Sequence, residues 1–371
     1  MESQKIKQVM NRYLQGMLDL YHQDDNSGIT AYCQLLKDFL YSALEFLTGN
    51  FTRENVKIEI LEIPGELQIP MPCMRIWDGK TRIYGYIDVL GPGTTKKEID
   101  AYPWLDLYKR VFPNLLLTNF FEFLYYREEQ KVCTARPLAI SHIGEITGKL
   151  KALQPKIFLK ALQHFMGYSE KKSKVPSFID LQKRLALKTY YLKEYVLTPL
   201  MGHWLDTRAK CELVRLYRAY CYFFDLELSA KEFSAFLAHA IVDGFIRAAV
   251  FHNTRNSNPG SPFSPGRVFE FAKLNRMNER RLALFKYLSP APGDDELPGS
   301  VQWVLDDLGG LLANYDFQKM GYLCKNNGLI DGALLQWEVY FFIPYYDTAE
   351  EIERVKELLI KAGIFSGEKG L

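Results

Sequence analysis

The stretch that decides the fold runs from Ile69 to Phe123. It opens Ile69-Pro-Met-Pro-Cys73-Met-Arg-Ile76 and passes through Asp78-Gly79. It continues Tyr84-Gly-Tyr-Ile-Asp88-Val-Leu90-Gly-Pro-Gly-Thr94 and closes Phe112-Pro-Asn-Leu-Leu-Leu-Thr-Asn-Phe-Phe-Glu-Phe123. Met74 to Trp77 is short and apolar, and Asp78-Gly79 after it is a hairpin turn signal. Arg82 to Leu90 is rich in β-branched and aromatic residues and stops at Gly91-Pro92-Gly93, so it reads as a strand. Lys97 to Val111 reads as one helix. Leu115 to Thr118 and Phe123 to Tyr126 read as two more strands around Asn119. Upstream, Val56-Lys-Ile-Glu-Ile60 alternates apolar with charged residues, as a half-buried strand does. Two helices precede it. Ile6, Val9, Met10, Tyr13, Leu14 and Met17 share one face over residues 5–22, and a second helix over 31–48 stops at Gly49.

Beyond Pro137 the strand signals disappear. Helical periodicity covers 145–165, 178–197, 207–224, 229–251, 267–288, 301–315 and 329–343, separated by polar loops rich in Pro, Gly and Ser. Thr348 and Glu351 have the spacing of a capping box before a last helix, and Gly363 follows it. The expected class is therefore α+β: a mixed sheet flanked by helices, then an all-α part. The expected divisions are residues 1–137, 138–347 and a C-terminal helix and tail at 348–371.

Composition excludes several classes. The chain has 371 residues, 48% hydrophobic and 24% charged, with a net charge of +2. That is a globular balance, neither disordered nor collagen-like. Six cysteines stand without CxxC spacing and six histidines without HxxxH spacing, so neither a zinc knuckle nor a zinc-protease helix is indicated. Walker A, GxGxxG and GxSxG motifs are absent. No apolar run reaches the ~18 residues of a membrane span, and the first residues lack a signal-peptide layout, so a cytoplasmic protein is expected. Charge is locally uneven. Lys149 to Lys188 holds ten Lys/Arg against Glu170 and Asp180, a balance of 10 − 2 = +8. Lys171, Lys172, Lys174, Lys183 and Arg184 are thus candidates for contacting DNA phosphates; a solvated helical face is the plainer alternative.

The Ile69–Phe123 stretch resembles the N-terminal nuclease-like domain of type IIG and type ISP restriction–modification proteins, which are adenine-N6 DNA methylases. In that family a Pro-Asp opens one strand and a Gly-Tyr-Ile-Glu-x-Lys strand follows. A helix and a Pro-Asn-Leu-Ile-Leu-Thr-Asn strand come next. The resemblance continues colinearly. Ser229 to Ala249 is similar to the family's helical connector, Val301 to Phe317 to the segment before the methylase, and Trp337 to Asp347 to the methylase entry. It implies a restriction-endonuclease-like fold with a PD-(D/E)xK site, followed by a connector.

The departures decide the expected function. Where the family has Pro-Asp this chain has Pro72-Cys73, and where it has Glu-x-Lys this chain has Asp88-Val89-Leu90. A thiol is a poor ligand for hard Mg²⁺, and leucine supplies neither charge nor proton. Cys73, Asp88 and Leu90 are thus expected to be vestigial, with no cofactor. The methylase motifs, the Gly-rich one and Asn-Pro-Pro-Tyr/Phe, are absent. The expectation is a non-catalytic subunit of a restriction–modification or phage-defence-like system that binds DNA, docks a separate methylase or effector chain, or both. Trp337, Tyr340, Phe341 and Tyr345 are the docking candidates. The alternative is a divergent Mg²⁺ endonuclease using Asp88 with Glu59, Glu62 or Glu66, and with Lys96 or Lys97 reaching in.

Overall fold

The computed structural model describes residues 2–22, 28–48, 51–61, 71–79, 82–137, 142–145, 154–167, 178–200, 207–224, 228–255, 299–313 and 349–361. The chain divides into two compact units. One holds Met1–Ile63 with Pro70–Glu170, and Lys171–Leu371 belongs to the other.

The first unit is a six-stranded mixed sheet with helices on both faces. The strands are β1 (Lys57–Ile60), β2 (Met74–Trp77), β3 (Ile83–Val89), β4 (Asn114–Thr118), β5 (Phe123–Arg127) and β6 (Gln130–Ala135), in spatial order 1-2-3-4-5-6. β1, β2 and β3 form an antiparallel meander. β3 and β4 are parallel, as a crossover connection requires. β4, β5 and β6 are again antiparallel. The turn after β2 has Gly79 at φ 74°, the left-handed conformation that Asp78-Gly79 advertises.

Alternation along the strands sends two sets of side chains to opposite faces. Ile58, Met74, Ile76, Ile87, Leu116 and Phe123 join one core with α1 (Glu2–His22), α2 (Ile29–Leu44) and α5 (Pro155–Met166). Tyr13 stacks on Phe39 at 4.1 Å, and Phe158 of α5 packs on both Phe39 and Phe123 at 5.1 Å. The crossover covers the other face. Its Phe112 packs on Tyr86 at 4.6 Å.

Two expectations need correction here. The crossover is two short helices, α3 (Lys96–Asp100) and α4 (Leu105–Val111), and the single helix expected over 97–111 is absent. Pro103 is the cause: it biases Tyr102 away from helical angles and lacks a donor. The reading of two strands around Asn119 also fell one short, because β6 follows β5 after a two-residue turn. Glu128 and Glu129 in that turn have φ 47° and 71°. Hairpins of this kind usually place Asn or Gly there, so no turn signal marked it.

Asparagine side chains do much of the local wiring. Asn119 Oδ1 accepts the N–H groups of Phe121 (3.2 Å) and Glu122 (2.8 Å), while its Nδ2 donates to Thr94 O at 2.7 Å. That fastens the β4–β5 turn to the segment leaving β3. Phe120 within the turn has φ 73°, and Tyr13 of α1 donates to its carbonyl at 3.0 Å.

The described residues of the second unit are helical and include α6 (Phe178–Leu200), α7 (Thr207–Phe224), α8 (Ala230–Arg255), α9 (Gly299–Ala313) and α10 (Ala349–Lys361). α6 and α8 pack along each other, α9 packs on both, and α10 lies on α8. Glu232 reaches back to the Ser229 N–H at 2.7 Å while Ser229 Oγ accepts from the Glu232 N–H at 3.1 Å, a capping box at the start of α8. Lys188 of α6 pairs with Asp307 of α9 inside the bundle. Among the described residues no helix is long and apolar enough to cross a membrane. The expected helices at 267–288 and 329–343, and Thr348 of the expected capping box, lie outside the described residues.

Candidate functional site

The site forms where β2 and β3 lie side by side. Their antiparallel register pairs Met74 with Ile87, so the residue before β2, Cys73, comes opposite Asp88. The Cys73 thiol donates to Asp88 Oδ1 at 3.4 Å, and the Cys73 N–H approaches the same oxygen at 3.3 Å. The other oxygen, Oδ2, accepts the Tyr102 hydroxyl at 3.1 Å. Tyr102 stands in the α3–α4 break that Pro103 causes, so the kink delivers this donor. Sequence reading did not single out Tyr102; the broken helix was the available signal.

Asp88 is 2% exposed. Burial raises its carboxyl to about 6, and the hydrogen bonds from Cys73 and Tyr102 oppose that rise without cancelling it. A hydrogen bond with Cys33 of α2, then burial, then the Asp88 charge push the Cys73 thiol upward. Tyr102 is likewise raised, by burial first and by the Asp88 charge second. The cluster is therefore a set of protonated donors around one reluctant carboxylate.

The remaining sequence candidates fall in different places. Leu90 follows β3, is half-buried, and uses its N–H to donate to Thr118 O at 2.8 Å. Glu59 pairs in register with Arg75 and accepts its Nε at 2.6 Å. Arg75 is 3% exposed and stacks over the Trp77 ring at 4.1 Å. Lys96 and Lys97 are exposed in the first turn of α3. Lys183 and Arg184 fall in α6, with Arg184 half-buried. Glu62, Glu66, Lys171, Lys172, Lys174, Trp337, Tyr340, Phe341 and Tyr345 lie outside the described residues.

Magnesium, which the family resemblance implies, does not fit this donor set. A hard dication asks for several charged or carbonyl oxygens. Among the described residues one carboxylate, Asp88, stands here, both of its oxygens already accept hydrogen bonds, and its neighbours are a thiol and a phenol. Among the described residues no group of three His, Cys, Asp or Glu side chains is arranged to hold a metal ion.

The raised carboxyl sets a pH dependence with a definite sign. Because the folded-state value, about 6, exceeds the ordinary 3.8, the native state holds the proton more tightly than the unfolded chain. This contribution to stability is complete below pH ~4 and is lost as pH rises through ~6, by about 3 kcal/mol in total. Urea unfolding of wild type and Asp88→Asn across pH 4–7.5 isolates it, since other carboxylates cancel in the difference. Acidification should favour wild type relative to the variant by roughly that amount. A constant difference across the range would show that Asp88 is not held as described.

No family model matches the chain, and no curated protein matches it. Among solved structures it is similar to a cryo-EM structure of a DrdV–DNA complex. The identity is 12% and the TM-score 0.30, over 92% of this chain and 29% of that one. The chain thus spans under a third of that protein's length, and the likeness is too low to carry an argument.

Proposed function

We propose that this chain is a non-cutting, DNA-contacting component of a restriction–modification or phage-defence-like system, able to bind DNA and to dock a separate methylase or effector chain. One observation carries the reading. At the place where the family it resembles needs carboxylates and a lysine, both oxygens of a buried Asp88 are taken up by Cys73 and Tyr102. The position two residues on is aliphatic Leu90. An aliphatic side chain cannot polarise water or steady a leaving oxyanion, and the thiol leaves a hard cation one charged ligand short. The retained strand meander and crossover support a nuclease-type scaffold kept for shape.

The test pairs cleavage with binding. Purified chain is incubated with plasmid DNA in Mg²⁺ or Mn²⁺, and duplex binding is followed by fluorescence anisotropy across a salt series. The expected result is intact plasmid together with binding that weakens steeply as salt rises, because neutralised phosphates release counterions. Cutting that disappears in Asp88→Ala would overturn the non-cutting reading and favour a divergent Mg²⁺ endonuclease. No binding to DNA at any salt would overturn the DNA-contacting reading.

A further inference from the structure

We infer that the outward stripe of α7, formed by Arg215, Arg218 and Tyr222, is a contact surface for the sugar-phosphate backbone of duplex DNA. The inference rests on the DNA-contacting reading above and assigns it a place.

The helix has two faces with opposite chemistry. Leu213, Tyr217 and Tyr220 fall in one sector, and that sector is packed. Tyr217 and Tyr220 meet Phe233 of α8 at 5.1 and 5.9 Å, and the Tyr217 hydroxyl donates to the Leu228 carbonyl. Arg215, Arg218 and Tyr222 follow one another at spacings of three and four residues, so they share the opposite sector. Both arginines are exposed. Tyr222 is 84% exposed, the most of any large hydrophobic side chain among the described residues, the others reaching 53% at most.

Charge identifies the occupant. The α7 sequence holds Arg208, Lys210, Arg215 and Arg218 against Glu212, a local balance of 4 − 1 = +3. The whole chain of 371 residues carries only +2. An eighteen-residue helix therefore has more positive charge than the entire molecule has net. An exposed tyrosine one turn beyond the two arginines adds a hydroxyl that can donate to a phosphate oxygen, and phosphate contacts of this kind position a protein on a duplex. From Arg215 to Tyr222 the helix advances ~10 Å, which spans about three phosphates at the ~3.4 Å axial spacing of one strand.

The experiment is a salt titration of duplex binding by the full chain, comparing wild type with Arg215→Gln/Arg218→Gln, the charge-keeping Arg215→Lys/Arg218→Lys, and Tyr222→Phe. All positions are exposed, and far-UV circular dichroism melts confirm that each variant is folded. The Gln pair should lose roughly 10-fold or more in affinity and flatten the log K against log salt slope by about 1.8, since each phosphate contact contributes about 0.9. The Lys pair should keep the wild-type slope, and Tyr222→Phe should lose about 2- to 3-fold with the slope unchanged. A Gln pair with wild-type slope, while wild type binds DNA, overturns the stripe and leaves the DNA reading standing. Wild type that ignores DNA overturns both. Loss in the Gln pair of binding to phosphatidylserine vesicles, with DNA binding intact, would assign the stripe to a membrane surface and overturn the inference.

Discussion

Cys73→Asp should destabilise the isolated protein by about 4 kcal/mol at neutral pH, the scale of an uncompensated buried charge. The substitution removes a donor and installs a second carboxyl where the present sulfur stands 3.4 Å from Asp88 Oδ1. Two carboxylates at that separation cannot both ionise, so one stays protonated or the pair repels. Asp88 already sits at about 6 through burial, so it has little capacity to accept a like charge. A divalent cation would change the sign of the problem, because it is the partner that a carboxylate pair lacks. Millimolar Mg²⁺ or Mn²⁺ should therefore recover part of the loss in the variant and leave wild type unchanged, since binding to the native state alone stabilises it by mass action. Cys73→Ser, which keeps a donor of similar size, is the control and should cost about 1 kcal/mol or less. Urea unfolding with and without the cation reads all three proteins. A variant as stable as wild type, or one indifferent to divalent ions, would count against the close approach of residue 73 to the buried Asp88 carboxylate on which the prediction rests.

Gly85→Ala should cost a similar amount, about 4 kcal/mol, for a steric reason. A Cβ at Gly85 would lie 2.5 Å from Phe165 Cζ and 2.7 Å from both the side-chain nitrogen and the backbone oxygen of Asn114. Phe165 can rotate, but the Asn114 backbone belongs to β4, the parallel neighbour of β3. Relief of that contact means opening the centre of the sheet. The Asn114 amide is also committed, donating to Tyr84 O at 2.5 Å and to Phe165 O at 3.0 Å, and so joins β3, β4 and α5. The expected sum is overpacking of about 1–3 kcal/mol plus the loss of part of that bridge. Phe165→Leu in the Gly85→Ala background should recover only the side-chain share, leaving a residual cost that reads the backbone clash. A total cost below 1 kcal/mol would show that β3 and β4 are not packed as described.

These two sites illustrate how far a one-dimensional reading reaches. The meander, the crossover connection and the described helices of the second half were legible because each rests on local signals: alternation at Val56–Ile60, the Asp78-Gly79 turn, the Gly91-Pro92-Gly93 stop, and helical spacing after Pro137. The sixth strand was not. Gln130 to Ala135 lies at the sheet edge with its first residues exposed, so it lacks the apolar alternation of a buried strand. Its turn uses two glutamates held at positive φ by the pairing of β5 with β6, a tertiary constraint that overrides residue preference.

The residue types at Cys73, Asp88 and Leu90 were readable directly, and with them the expectation that a hard cation is short of ligands among these three. Side-chain chemistry is a property of identity alone, so sequence determined it. What the carboxylate does instead was decided only in three dimensions. Antiparallel register set Cys73 against Asp88, and a proline-broken crossover delivered Tyr102 from fourteen residues away. The outward sector of α7 was settled in the same way. Helical spacing groups Arg215, Arg218 and Tyr222, but only the packing of Tyr217 and Tyr220 against Phe233 determines which sector meets solvent. Hydrogen bonds and buried faces depend on distances between residues far apart along the chain, and those distances exist only once the chain has folded.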